Sequence, residues 1–171
     1  LRMMRAAYFA SKLGFKIEEK CRRSIKKQSS RIDIVSKERI RDEFIKILST
    51  EKPSIGLVIL QKTGLMEIIF PEIHVMYGMD QTKEWHHKDI FAHTMQVVDN
   101  SAKLSDKMEL RFAALVHDIA KPITRRIDRK TGYTFHGHDA IGEKMIDIVA
   151  KRMKLSNDCL LYTSDAADDF T

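Results

Sequence analysis

The apolar stretch "RFAALVHDIAKP", residues 111–122, contains two adjacent titratable residues, His117 and Asp118. Burying both would cost free energy unless a hydrogen-bond partner or a metal ion compensated them. Neutral imidazole and carboxylate are ligands for divalent transition metals, and an aspartate can also bind Mg²⁺ or Mn²⁺. The pair therefore predicts a metal site on this segment.

A third ligand must come from elsewhere in the chain, because neighbours on one helix point about 100° apart. His93 precedes His117 by 24 residues and lies within the apolar, helix-like segment "FAHTMQVV". We expect this segment to be a largely buried helix that supplies the third ligand. The alternative for any one of these histidines is a core residue whose hydrogen bonds are satisfied within the fold.

The elements that would position these residues are almost wholly helical. Apolar side chains recur at helical spacing through "LRMMRAAYFASKLGF", and Gly14 marks the end of that helix. The segment "VSKERIRDEFIKILST" predicts another helix with Ser36 as its N-cap. Pro53, Gly64 and Pro71 then delimit two shorter helices.

The C-terminal half continues this helical pattern. One helix is expected in "HKDIFAHTMQVVDNSAKL", and the next should begin at a capping pattern from Asp106 to Glu109 and end at Pro122. A turn around Thr131-Gly132 predicts a short β-hairpin. The predicted fold class is all-α, with this one hairpin. In the last helix, the stripe expected to be buried comprises Ile141, Met145, Ile148 and Val149.

Composition and charge narrow the class of protein. No apolar run approaches the ~20 residues of a membrane span. Two cysteines, Cys21 and Cys159, cannot form a disulfide framework, so we expect a cytoplasmic protein with no membrane and no disulfide-linked partner. Residues 1–60 hold 15 Lys/Arg and 7 Asp/Glu, a balance of +8. This basic region favours a polyanionic partner such as nucleic acid, although a solvated helical face would have the same charge.

The spacing of His93, His117 and Asp118 resembles that of the HD domain, an all-helical family of metal-dependent phosphohydrolases with the signature H…HD…D. The resemblance implies that these three residues bind a divalent transition metal, or Mg²⁺ or Mn²⁺. It also implies that His117 and Asp118 are the catalytic pair and that water is activated for attack on phosphorus. His136 and His138, in "HGHD", would line the same cleft and could hold a second ion.

Other residues around this signature carry weaker expectations. Lys121 follows the HD pair and could meet phosphate charge, unless it is an ordinary surface lysine. His86 and His87, in "EWHHKDIFAH", precede the helix of His93, and His87 could contact substrate or serve as a capping or interface residue. We expect His74 to be structural. The final Asp of the signature is expected on a later helix, in the region where residues 159–171 stand.

The N-terminal half resembles bacterial tRNA nucleotidyltransferases. The segments "LRMMRAAYFASKLGF", "SKERIRDEFIKIL" and "LQKTGLMEIIFPEI" have the order and spacing of these CCA-adding enzymes, which share their family with bacterial poly(A) polymerases. The resemblance implies that Arg2 and Arg5 bind the incoming CTP or ATP, because a guanidinium offers a fixed fork of donors. Tyr8 stands where many members have a third arginine. Without the resemblance, both arginines would be interpreted as solvated charges.

The two resemblances together divide the chain into four segments. Residues 1–50 would form a nucleotide-reading neck, residues 51–85 a body, and residues 86–158 a truncated HD domain. Residues 159–171, "CLLYTSDAADDFT", look like translated sequencing adapter and are expected to be non-native. The family's head domain, whose carboxylates hold catalytic Mg²⁺, is expected to be missing, because the chain contains no D-x-D pattern.

These observations predict a fragment of a CCA-adding enzyme that acts on tRNA with CTP and ATP and carries an accessory HD phosphohydrolase. The fragment by itself should not add nucleotides. One alternative is a poly(A) polymerase of the same family, which would be expected to lack an active HD site. A stand-alone HD phosphohydrolase and a non-catalytic RNA-binding helical protein are the others.

Overall fold

The structure is a computed structural model that describes residues 1–80, 89–128 and 132–155. Within those ranges it contains ten α-helices, one 3₁₀ helix and a two-stranded antiparallel hairpin, so the all-α prediction is confirmed. In chain order the elements are α1 (Arg2–Leu13), α2 (Glu19–Lys27), the 3₁₀ helix (Ser29–Ile34), α3 (Lys37–Leu48), α4 (Pro53–Lys62), α5 (Leu65–Ile69), α6 (Pro71–His74), α7 (Ile90–Leu104), α8 (Met108–Val116), α9 (Lys121–Thr124), β1 (Arg126–Asp128), β2 (Gly132–Thr134) and α10 (His138–Met153).

Glycine and proline bound several helices where the sequence predicts it. Gly14 follows α1 with a φ of 71°, and its N–H donates to the carbonyl oxygen of Ala10. Pro53 and Pro71 lie in the first turns of α4 and α6, where the missing N–H removes no helical hydrogen bond. Ser36 occupies the N-cap position of α3, but its side chain makes no capping hydrogen bond.

The N-terminal helices share one core, in which α1, α3 and α4 pack closely. Gly56 of α4 makes this packing possible, since a Cβ there would lie 2.5 Å from Ile47 Cγ2 and 3.3 Å from the Ala7 carbonyl oxygen. Any larger residue would force the helices apart. The rings of Phe44 and Phe70 fill the core beside them, with centroids 5.8 Å apart.

Arg111 joins the C-terminal helices to this core. Its side chain is buried in α8 and donates to four carbonyl oxygens, those of Leu48 and Thr50 at the end of α3 and those of Ala102 and Ser105 near the end of α7. These bonds are 2.7–3.2 Å long. The C-terminal end of a helix carries partial negative charge, so one guanidinium holds two helix ends together favourably.

A second contact joins α10 to α6. The two terminal nitrogens of Arg152 donate to the two carboxylate oxygens of Glu72, at 2.6 and 2.7 Å. Burial would raise the pKa of Glu72, but the hydrogen bonds from Arg152 and its charge outweigh burial and lower it. Glu72 therefore stays ionised at neutral pH, and the bidentate pair fixes the last helix against the N-terminal core.

The predicted boundaries of α8 are wrong at both ends. Asp106 is not its N-cap, because its carboxylate accepts a hydrogen bond from Arg111 instead, at 3.1 Å. The helix ends at Val116, and Pro122 lies in the first turn of α9 rather than at the end of α8. This early end changes the backbone at His117, where the metal-site prediction is centred.

The predicted buried stripe of α10 is also partly wrong. Ile141 and Ile148 are 40% and 63% exposed, whereas the helix buries Ile146, Val149 and Met153. The helix is apolar on more than one face, so periodicity did not identify the face that packs on α3. It is 16 residues long, and no helix in the described ranges has the length and apolar character to cross a membrane.

Candidate metal centre

The start of α7 positions His93. Asp89 is the N-cap of this helix, and one of its carboxylate oxygens accepts from the backbone N–H of Ala92, at 2.6 Å. Its other carboxylate oxygen accepts from the N–H of Gly78, at 2.7 Å. Phe91 anchors the same turn in the core. His93 therefore stands in the first turn of a fixed helix, with its imidazole 40% exposed.

A turn after α8 positions the other two residues. His117 is the C-cap of α8, and the chain then turns, with the N–H of Ile119 donating to the Val116 carbonyl oxygen at 3.0 Å. Ile119 is buried beside Asp118, whose own side chain is only 4% exposed. The prediction that His117 and Asp118 lie on one continuous helix is wrong: α8 ends at Val116, and both residues follow it in the turn.

Three ligand atoms converge at this turn. Asp118 Oδ2 lies 3.2 Å from His117 Nε2 and 3.9 Å from His93 Nε2. All three atoms lie within 4.8 Å of one another, and they are the only such group of His, Cys, Asp or Glu in the described part of the chain. Neighbouring ligand atoms bound to one ion at about 2.1 Å lie roughly 3.0–3.4 Å apart, so the widest separation has to shorten by on the order of 1 Å when an ion binds. Two imidazoles and a carboxylate fit a divalent transition metal.

A backbone hydrogen bond orients the imidazole of His117. Its Nδ1–H donates to the carbonyl oxygen of Ala114, at 2.8 Å. This bond fixes the ring and directs Nε2 toward Asp118. Metal-binding histidines typically donate their other ring N–H in this way, which settles the tautomer and raises the basicity of the ligand nitrogen. His117 therefore has the arrangement of a preorganised ligand.

The carboxylate of Asp118 is held in its ionised form. Burial would raise its pKa, but hydrogen bonds and charge from His117 and Lys121 outweigh burial and lower the pKa to about 2. Lys121 Nζ donates to Asp118 Oδ2 at 2.8 Å. The sequence left Lys121 open between a phosphate contact and an ordinary surface lysine, and its ammonium in this structure pairs with the ligand carboxylate.

Neither His136 nor His138 belongs to the group of three. His136 is exposed, and His138 is otherwise engaged. Its Nδ1–H donates to the Phe135 carbonyl oxygen at 2.8 Å, while its Nε2 lies 3.1 Å from Asp139 Oδ1. A second ion at these histidines stays a prediction.

The remaining histidines are separate from the group of three. His86 and His87 lie outside the described residues, as does Cys159. His74 donates from Nδ1 to Gln61 Oε1 at 3.2 Å, which agrees with a structural role.

The predicted nucleotide-binding arginines lie elsewhere, on α1. Arg2 and Arg5 are both exposed and, being three residues apart, occupy one helix face. Arg5 Nε lies 3.4 Å from Oε1 of the buried Glu43, while its side chain remains 54% exposed. Tyr8 packs against Phe9, with ring centroids 5.1 Å apart.

Sequence reasoning missed Arg111 entirely. The available signal was a lone cation at the start of the apolar run "RFAALV", where a buried charge would need several partners. Those partners are backbone carbonyl oxygens, which no residue pattern reveals. Arg111 has a structural role, since it ties α8 to the ends of α3 and α7. None of its described hydrogen bonds reaches the metal group, which is His93, His117 and Asp118.

Comparison with known proteins agrees with both halves of the structure. A family model described as the probable RNA and SrmB-binding site of polymerase A matches residues 14–77. The HD domain model matches residues 90–168, which include ten residues of the segment 159–171. The predicted domain boundaries and the predicted non-native tail therefore stay predictions.

Similar curated proteins share one name. The chain is 34% identical over 165 residues to the Multifunctional CCA protein of Psychromonas ingrahamii, which is 93% of this chain and 40% of that protein. It is 34% identical over 164 residues to the proteins of the same name from Vibrio campbellii and Vibrio cholerae, covering 92% of this chain and 40% of each. The chain thus spans two fifths of the length of these relatives. It belongs to the bacterial tRNA nucleotidyltransferase and poly(A) polymerase family, and it carries that family's RNA-binding region and an HD domain.

Proposed function

We propose that the HD domain of this chain hydrolyses phosphoesters at RNA 3′ ends and belongs to a CCA-adding tRNA nucleotidyltransferase. The observation that carries this proposal is the convergence of His93 Nε2, His117 Nε2 and Asp118 Oδ2 on one point. The relatives named Multifunctional CCA protein support the second part of the proposal.

His93, His117 and Asp118 would hold the ion. The chemistry that a divalent ion supplies in such a site is Lewis-acid activation of water and neutralisation of phosphoryl charge. Asp118, ionised and almost fully buried, contributes the negative charge that a cation requires. The bond from His117 to Ala114 keeps the imidazole in place and so limits reorganisation when the ion binds. His93 is the most exposed of the three, so the substrate would approach from its side.

In the nucleotidyl transfer that we propose for the whole protein, the 3′-hydroxyl of tRNA attacks the α-phosphate of CTP or ATP and releases pyrophosphate. Arg2 and Arg5 would bind the incoming nucleotide, since their exposed guanidinium groups offer donors to base edges and phosphates. The Mg²⁺ of that reaction belongs to the head domain of the family. This chain alone should therefore not incorporate CMP or AMP.

A poly(A) polymerase is the second candidate, favoured by the description of the family model that matches residues 14–77. We expect such an enzyme to lack an active HD site. The intact group of His93, His117 and Asp118 counts against that expectation, as do the names of the relatives. The CCA-adding assignment is therefore our first choice.

The test is a hydrolysis assay on RNA oligonucleotides ending in a 2′,3′-cyclic phosphate or a 3′-phosphate. The chain would be loaded with Co²⁺, Ni²⁺, Mn²⁺ or Mg²⁺ in separate reactions. His117→Ala should lower the rate roughly 100-fold or more, because it removes a metal ligand. The matched control is His74→Asn, which removes a histidine outside the group and should leave the rate unchanged. Equal rates for wild type and His117→Ala with every metal would contradict the proposal.

A further inference from the structure

A single oxygen, Asp118 Oδ2, has three cationic or metal-binding neighbours. Lys121 Nζ is the nearest at 2.8 Å, followed by His117 Nε2 at 3.2 Å and His93 Nε2 at 3.9 Å. An ion bound through this oxygen at about 2.1 Å would stand within a few ångströms of the lysine ammonium. Two positive charges at so short a distance repel each other strongly, because little water screens them beside Asp118, whose side chain is only 4% exposed. The ammonium and the ion therefore compete for one carboxylate oxygen.

We propose that Lys121 is the counter-cation of the metal-free site, that a divalent ion displaces its ammonium from Asp118, and that the displaced ammonium then pairs with the substrate's phosphate. This inference rests on the proposed function, because it requires that the group of three binds metal. Lys121 would then have two partners in succession, Asp118 before the metal binds and phosphate afterwards. Metal loading would thereby prepare the phosphate-binding cation.

The position of Lys121 permits this exchange. It begins α9, and its backbone N–H donates to the Asp118 carbonyl oxygen at 3.0 Å, so the backbone stays in place when the side chain moves. Lysine has a flexible four-carbon stem and three donors, unlike the rigid fork of arginine. Its ammonium also lies 5.6 Å from the centre of the Phe135 ring, which offers a cation–π contact away from the carboxylate. Its side chain is 17% exposed and so retains a path to solvent.

A purely structural lysine would behave differently. If Lys121 only held Asp118 in its binding orientation, removing the ammonium would loosen the carboxylate and weaken metal binding. If Lys121 competes with the ion, removing it should tighten metal binding. The two roles therefore predict changes of opposite sign in one measured constant.

The experiment is isothermal titration of the full chain with Co²⁺ alone, comparing wild type with Lys121→Met. Methionine keeps an unbranched stem against Phe135 and removes the ammonium, with both its charge and its hydrogen bond to Asp118. We expect about tenfold tighter binding, since a partly buried ion pair no longer has to be broken. His117→Ala supplies the background from other ligands, and Lys144→Met on the exposed face of α10 is the matched control, expected to bind as wild type does.

Each outcome of the titration has one meaning. Tighter binding by Lys121→Met, or binding by this variant where wild type binds none, supports the displacement. If wild type binds metal above the His117→Ala background and Lys121→Met binds it equally or more weakly, this inference is overturned and the metal site remains supported. No binding by either protein above that background overturns both the inference and the proposed metal centre.

A second titration tests the later partner of Lys121. Inorganic phosphate would be added to Co²⁺-saturated wild type and Lys121→Met, and its dissociation constant measured. We expect phosphate to bind several-fold more weakly to Lys121→Met, because the freed ammonium is gone. Unchanged phosphate affinity would overturn the phosphate-pairing step, even if the Co²⁺ titration supported displacement.

Discussion

The metal group and the arginine face of α1 are both candidate sites, and they differ in how they are held. Asp118 is almost fully buried, and its carboxylate and the His117 ring are each fixed by hydrogen bonds within a few residues. Arg2 and Arg5 are exposed, and the contact recorded for their guanidinium groups is the long bond from Arg5 to Glu43. One site is preorganised by its own chain, and the other presents donors to solvent.

This difference extends to the cations of the two regions. In the C-terminal half, three cations form hydrogen bonds or ion pairs with groups of the fold itself: Arg111, Lys121 and Arg152. On α1, Arg2 is exposed, and Arg5 remains 54% exposed beside its one long contact with Glu43. Cations that pair within the fold should therefore lower stability when removed, whereas exposed cations should affect ligand binding more than stability. Mutations at the two kinds of position test this contrast.

The largest stability effect should come from Arg111→Met. The change leaves four backbone carbonyl oxygens without their donor and removes the group that ties α8 to the ends of α3 and α7. We expect the free energy of unfolding to fall by about 3 kcal/mol or more. Urea denaturation at pH 7 would measure it. A loss below ~1 kcal/mol would show that the hydrogen bonds of Arg111 are not essential to the stability of the fold.

A smaller, pH-dependent effect should come from Asp118. Its folded pKa, about 2, lies below the ordinary value of 3.8, so its contribution to stability is complete above about pH 5 and is lost as pH falls toward 2. The contribution is about 2 kcal/mol. Unfolding free energies at pH 7, 4 and 2.5 should therefore show a gap between wild type and Asp118→Asn that is full at pH 7 and shrinks to about a third at pH 2.5.

The control for this pH series is Asp147→Asn, on the exposed surface of α10, which should run parallel to wild type at every pH. Because the pKa of Glu72 is also lowered, wild type itself should lose stability across the same acidic range. A gap between wild type and Asp118→Asn that stays constant down to pH 2.5 would show that this carboxylate is not held ionised by its neighbours.

The smallest stability effect should come from the arginine face. Arg2→Ala and Arg5→Ala should each change the free energy of unfolding of this chain by less than ~0.5 kcal/mol, since exposed side chains contribute little. In a protein that also contains the head domain, the same changes should weaken CTP and ATP binding about tenfold. A large stability loss for Arg5→Ala would mean that its pair with Glu43 is structural and that the contrast between the regions is false.

Residue patterns predicted the helical architecture, which is confirmed, and they selected His93, His117 and Asp118, whose ligand atoms the fold brings close together. That these residues bind a metal stays a prediction. Periodicity located most helices because one apolar stripe and clear glycine or proline boundaries coincide there, as at Gly14 and Pro53. The end of α8 was missed because nothing between Val116 and Pro122 is a helix breaker. The relevant turn is stabilised by burial of Ile119, which is a tertiary effect.

The partners of charged side chains were harder to predict from the sequence than the helices. Arg111 bonds to backbone carbonyl oxygens from two other helices, and a carbonyl has no signature in the sequence. The sequence left Lys121 open between a phosphate contact and a surface lysine, and its partner depends on where Asp118 turns inward. Residue types identify which groups can do chemistry, but the backbone turn that aims them is set by packing of the whole domain.

One divalent ion is expected to bind to His93, His117 and Asp118. Crystals of the chain grown with Co²⁺ and measured at the cobalt absorption edge would test this, because the anomalous signal locates the ion. We predict one ion bound by His93 Nε2, His117 Nε2 and Asp118 Oδ2, at about 2.0–2.2 Å from each. An ion held only by His136 and His138, or no ion at the turn after α8, would contradict it.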